Sequence, residues 1–148
     1  MSTSAKKTGG KRRRARAVVL SALYAYYTAG GDPHDVFAAI SGQDSLAADA
    51  ADFAARLFSC AIDHAEEIDR KIRAAAANWA FERIAAIDKN ILRLGLAELL
   101  FLRETPPKTA INEAIELARE YSAADSTKFI NGILDAVYHQ EHAPPGSN

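Results

Sequence analysis

The residues with the most chemistry to offer lie close together near the start of the chain. Lys6, Lys7, Lys11, Arg12, Arg13, Arg14 and Arg16 place seven positive charges within eleven residues, and no acid precedes Asp32. Because the whole chain has a net charge of −1, residues 17–148 carry −8. Charge segregated in this way suits partners of opposite sign, phosphate for the basic arm and a basic protein for the acidic body. The basic run leads straight into an apolar periodic stretch, Val18, Val19, Leu20, Leu23, Tyr24 and Tyr27. On one helix, the spacing of Arg12, Arg13 and Arg16 gathers them into a patch able to follow phosphates. A solvated tail or a targeting signal is the bland alternative.

Catalytic chemistry is poorly represented. No P-loop, dinucleotide-binding glycine motif, zinc-protease motif or nucleophile elbow occurs. His139 and His142 fall where the last helix should fray into a Pro-rich tail. His64 sits beside Asp63 and Glu67 and reads as part of a solvated face. Cys60, the single cysteine, lies next to an apolar stripe and reads as a small packed residue; it excludes an internal disulfide and any multi-cysteine metal site. The expectation is a protein that binds, without catalytic residues, cofactor or metal.

These groups need a scaffold, and the chain is long enough to supply one. A chain of 148 residues buries roughly 68–70% of its unfolded surface. Its 49% apolar and 25% charged residues are ordinary globular composition. No apolar run reaches the length of a membrane-spanning helix, and the basic start lacks a secretory core, so a cytoplasmic protein is expected. Apolar spacing of three and four recurs throughout, without the alternation of strands, which predicts an all-α protein.

Helices are expected at about 12–28, 34–41, 46–76, 88–103, 109–121 and 126–140, with a segment over 79–84 between the third and fourth. Gly30-Gly31 and Asp32-Pro33 should stop the first helix, and Thr105-Pro106-Pro107 the fourth. Thr109 and Ser126 are candidate caps for the last two. Residues 1–11 are expected to be a disordered basic arm, 12–140 one helical domain and 141–148 a disordered tail. The helix over 88–103 is apolar around most of its circumference, leaving a narrow polar stripe of Lys89, Asn90 and Arg93, so it should be central. Glu98 falls on its apolar face and needs donors, such as a neighbouring helix's first-turn amides, in a structural rather than catalytic role.

Three stretches, KRRRARAVVLSALYAYY, IDKNILRLGLAELLF and TAINEAIELAREYSAADSTKFINGILDAV, together resemble the NusB family of bacterial transcription antitermination factors. The resemblance covers residues 11–138, with 30–78 matching only in helical character; INEAIELA (111–118) and DSTKFINGILD (125–135) are its most specific parts. It implies two antiparallel three-helix bundles and a role without catalysis. NusB-like proteins pair with the ribosomal small-subunit protein NusE and bind single-stranded boxA RNA, helping the RNA polymerase antitermination complex to read through ribosomal RNA operons.

On the matching positions, the resemblance implies RNA contact at Lys11, Arg12, Arg13, Arg14, Arg16, Ser21, Asp125, Lys128 and Phe129. It implies contact with NusE at Tyr24, Glu82 and Asp88. Phe129 beside Lys128 at a helix N-terminus could stack an unpaired base while the lysine and helix end receive phosphate; plain core packing is the alternative. Core packing is likewise open for Tyr24, and capping for Asp125. Ser21 stands where the family commonly has glutamine, and Tyr121-Ser122 where it has Phe-Gly. A homodimeric protein-interaction module without specific RNA binding remains a second reading. A piece of an RNA methyltransferase is a third reading, against which stands the absence of a Gly-rich cofactor motif.

Overall fold

The structure is a computed structural model and describes residues 4–142, with residues 4–9 described by their backbone alone. Among the described residues every regular element is helical. The helices are α1 (Ser4–Ala29), α2 (Pro33–Ser41), α3 (Ala48–Asp63), α4 (Ala65–Ala75), α5 (Ala86–Leu96), α6 (Pro107–Tyr121) and α7 (Ser126–Glu141). A 3₁₀ turn, Phe81–Arg83, precedes α5, and a π-helical segment, Ala97–Leu102, extends it.

Helices α1, α2 and α3 pack as one three-helix bundle, and α5, α6 and α7 as the second, with α4 lying against α5 and α7. Their inward faces merge into one apolar core around Leu23, Phe53, Leu57, Ile68, Ile91, Leu94 and Ile130. Gly95 sets how closely the second bundle closes. A Cβ there would lie 3.3 Å from the Ala114 Cβ and 3.3 Å from a Leu134 methyl, so α5 approaches α6 and α7 on the strength of a missing side chain.

Several boundaries follow from local chemistry. Gly30 and Gly31 end α1 with φ of 76° and 102°, and Asp32 caps α2 by accepting from the Asp35 N–H at 3.1 Å. Other boundaries differ from expectation. Helix α1 begins at Ser4 rather than near residue 12, because alanine, lysine and arginine are good helix formers and carry the helix through Gly9-Gly10. The side chains of Lys6 and Lys7 and the tail from residue 143 lie outside the described residues.

The single helix expected over 46–76 is broken at His64, whose φ and ψ of −111° and 22° end α3 and begin α4. No glycine or proline marks the break. The His64 ring instead stacks on Phe101, with centroids 3.9 Å apart, and its Nδ1–H donates to the Cys60 carbonyl at 3.0 Å. His64 is therefore packed, not solvated. Thr109 does not cap α6; Pro106 and Pro107 occupy the cap and first helical positions, so the same dipeptide stops one helix and starts the next.

Within the polar stripe of α5, Asn90 and Arg93 are buried and Lys89 is half-buried over the Phe81 ring. Arg93 donates through Nε and Nη2 to Asp69 at 2.9 and 3.1 Å and through Nη1 to Asn90 at 2.9 Å. Its guanidinium lies 3.6 Å from the centre of the Tyr27 ring. The stripe is thus the polar seam that joins α5 to α4 and α1.

Candidate nucleic-acid interface

The arginine-rich turn of α1 divides its cations among different partners. Lys11 is exposed, and with Arg12, Asp49 and Ala50 it lines a cavity of about 200 Å³. The Arg12 guanidinium rests 4.2 Å above the Phe53 ring. Arg13 forms a two-pronged pair with Glu113, Nε to Oε1 at 3.1 Å and Nη2 to Oε2 at 2.9 Å, which raises the guanidinium's already high pKa. Arg14, well exposed, stands 3.5 Å from Asp44.

Arg16 does not belong to this surface. Its side chain is 4% exposed and donates through Nε and Nη2 to the two oxygens of fully buried Glu98, at 2.8 and 2.6 Å. An arginine one turn from an exposed patch reads as part of it until the packing shows which side of the helix it occupies. Glu98 finds its donors in Arg16 and the Thr105 hydroxyl, 2.7 Å away, rather than in helix amides.

A second region forms where the 3₁₀ turn meets the start of α7. Trp79, Arg83, Ile84, Asp125, Ser126 and Phe129 line a cleft of about 250 Å³. The Trp79 and Phe129 rings meet edge to face, with centroids 5.5 Å apart and planes at 72°. Trp79 is 62% exposed, whereas Phe129 is half-buried and packs partly on the core. Two perpendicular aromatic walls can take a planar base against one face and its edge against the other. Lys128 and Asp125 are exposed at the helix start, and the Asp125 side chain makes no cap bond. Trp79 and Arg83 escaped the sequence reading because they lie in a segment without helical periodicity. The chain's only tryptophan outside any apolar stripe was the available sign.

Asp88 also belongs to the interior of this region. It is 7% exposed and accepts hydrogen bonds from the Ser122 hydroxyl and, at 2.8 Å, from the Ser126 hydroxyl. Asp88 therefore cannot present a free carboxylate to a basic partner; it ties α5 to both ends of the turn between α6 and α7. Ser126 is correspondingly a buried tie rather than a cap.

A third surface runs along the outer side of α1. Ser21 and Tyr24 (43% exposed) join Ala17, Leu20, Ile87 and Tyr121 around a cavity of about 260 Å³. A neighbouring cavity of about 220 Å³ shares Ser21 and Tyr121 and adds Arg14 and Asp44. The structure so brings Ser21, Tyr24 and Arg14 onto one continuous face. Glu82 lines neither cavity; it is exposed on the 3₁₀ turn, 3.9 Å from Arg73.

Among the described residues no three His, Cys, Asp or Glu side chains are grouped to hold a metal ion. His139 and His142 each bond the carbonyl one turn back, Asp135 at 2.7 Å and Tyr138 at 2.9 Å. Among those residues, too, no helix is long and apolar enough to cross a membrane.

The NusB family model matches residues 13–139. A transcription antitermination protein NusB from Chloroherpeton thalassium is 42% identical over 130 residues, which are 87% of this chain and 62% of that protein. The chain thus spans less than two thirds of that relative's length. A second protein of that description, from Dehalococcoides mccartyi, is 38% identical over 126 residues, 85% of this chain and 88% of its own. A crystal structure of antitermination factors NusB and NusE in complex with double-stranded RNA contains a chain that superposes with a TM-score of 0.81. That chain is 30% identical, and the match covers 88% of this chain and 97% of that one.

Proposed function

The chain belongs to the NusB family, and from that premise we propose that it is an RNA-binding transcription antitermination factor. In this reading it pairs with a NusE-type ribosomal protein, binds boxA RNA in the nascent transcript and joins the antitermination complex of RNA polymerase in the cytoplasm. Residues 12–140 form the docking body and residues 1–11 a leading arm. The reading is carried by one observation: a fold matching a chain of a NusB–NusE–RNA complex carries Lys11, Arg13 and Arg14 exposed on α1, with Arg12 half-buried over Phe53 beside them.

The proposed division of labour follows the three surfaces. The α1 cations grip phosphates, a sequence-independent attraction that salt weakens. The cleft walled by Trp79 and Phe129 takes an unpaired base, with Lys128 and the α7 N-terminus near its phosphate and Asp125 facing its polar edge. Tyr24 and the groove beside Ser21 receive the protein partner, with Glu82 supplying negative charge toward a basic surface. Nothing in this role requires catalysis.

The test is co-purification with recombinant NusE, repeated with boxA RNA and with a scrambled RNA of equal length. A stable pair that retains boxA RNA more tightly than the scrambled control is expected. Failure of the pair to co-migrate, together with equal retention of both RNAs, overturns the reading.

A further inference from the structure

Arg13 is an exposed arm arginine held by a two-pronged carboxylate pair. Its side chain is 49% exposed, yet Nε and Nη2 both donate to Glu113, whose side chain is only 17% exposed. The pair is neutral overall, so in this arrangement Arg13 adds little to the attraction of a phosphate. Glu113 is held by more than Arg13, because Arg16 Nη1 stands 3.4 Å from Oε1 of the same carboxylate. If Arg13 swings away, a cation remains beside Glu113, so the half-buried carboxylate is not left unpaired. The guanidinium is the longer, more exposed partner and is the one free to leave.

We propose that Glu113 is a positioning residue that competes with RNA for Arg13, holding the guanidinium on α6 until a phosphodiester oxyanion takes its place. The proposal rests on the RNA-binding reading above. It assigns the carboxylate a selective role: RNA must bring a phosphate into register with Arg13 to displace it, whereas loosely held RNA contacts only the other cations. An exposed ion pair resists such exchange by about two- to fivefold in affinity.

The test is fluorescence anisotropy of a labelled single-stranded boxA RNA with the NusE-bound chain, over a series of salt concentrations. Four forms are compared: wild type, Glu113→Gln, Arg13→Ala and the double variant. Glutamine keeps the shape of the side chain and an oxygen that can accept from Arg16; Glu113→Ala serves as a second version, and thermal denaturation verifies that each is folded. The expected result is RNA binding about two- to fivefold tighter in Glu113→Gln, with the slope of log K against log salt steeper by up to about 0.7. On the Arg13→Ala background the same substitution should change nothing, which a general effect of removing one negative charge would not reproduce. Equal or weaker binding by Glu113→Gln, or a gain that persists without Arg13, overturns the proposal alone. Absence of RNA binding by the wild-type chain overturns the RNA reading and this proposal with it.

Discussion

Arg16 and Glu98 form a closed, two-pronged pair in the interior, 2.8 and 2.6 Å long, that fastens α1 to the π-helical segment beyond α5. Thr105 adds a third donor from the loop before α6. Both charges have left water, and each is compensated chiefly by the other, with Glu113 a second, longer contact for Arg16.

Glu98→Ala, which leaves buried Arg16 only its 3.4 Å contact with Glu113, should destabilise the protein by about 3–5 kcal/mol. Replacing both residues, Arg16→Met with Glu98→Leu, should recover most of that loss. Urea denaturation reads both, and the folded double variant should lose no more RNA affinity than Arg13→Ala does, because Arg16 is not on the surface and bears on RNA only through the hold of Glu113 on Arg13. A larger loss of RNA binding in that variant would return Arg16 to the interface.

Asp88 gives a parallel test for the partner face. Asp88→Ala removes the acceptor of two serine hydroxyls and should cost about 1–3 kcal/mol, measured by thermal denaturation. Asp88→Asn keeps an acceptor and most of the shape while losing the charge. At equal folded concentration it should bind NusE as the wild type does, whereas a role for Asp88 as an exposed negative charge predicts weakened pairing.

The arm is probed through salt. Replacing Lys11 and Arg12 together by alanine should make the slope of log K against log salt shallower by about 1.4, two single-strand phosphate contacts at about 0.7 each. Because the Arg12 guanidinium rests on Phe53, that substitution should also cost about 0.5–1 kcal/mol of stability. An unchanged slope would remove the pair from the RNA contact.

Trp79 carries its own reporter, since it is the chain's single tryptophan. Titration with boxA RNA should quench its fluorescence. Trp79→Ala should weaken RNA binding by about 1–3 kcal/mol while costing the fold no more than about 1.5 kcal/mol, the value of its edge contact with Phe129. Fluorescence that ignores saturating RNA would empty the cleft of its proposed base.

Cys60 supplies a pH test of packing. Burial, reinforced by nearby Asp63, pushes its thiol above the usual range, so the native state holds the proton more tightly than the unfolded chain. The associated stabilisation is present below the unfolded thiol's pKa and fades as pH rises through the raised native value. Iodoacetamide should therefore label Cys60 slowly at neutral pH, faster as the solution becomes alkaline, and faster still at fixed pH in denaturant. Equal rates in native and denatured protein would contradict the packing.

Much of this was readable from residue types alone. The helical class, the Gly30-Gly31 stop and the stripe of Ala50, Phe53, Leu57 and Ala61 depend on local spacing, and local spacing is what a sequence displays. What escaped depends on which neighbour a side chain meets. Arg16 and Arg13 look alike along α1, yet Glu98 takes one into the core while Glu113 leaves the other exposed. Asp88 looked like surface charge because the serines that surround it lie 34 and 38 residues away. The break at His64 escaped for the same reason, its cause being a ring on another helix.

That ring sits on a stretch of backbone that winds unusually. Over Ala97–Leu102 the coil is widened, and the Arg103 N–H closes on the Glu98 carbonyl five positions back, at 3.1 Å. Each residue of an α-helix turns the chain by about 100°, so one surplus residue rotates everything after it by that angle. Phe101 lies within this widened stretch, and its ring stacks on His64. Excising a single residue from the widened coil would restore regular winding and swing the ring away, and the bend between α3 and α4 would lose its support. The number of residues in one stretch of backbone thereby governs the shape of another.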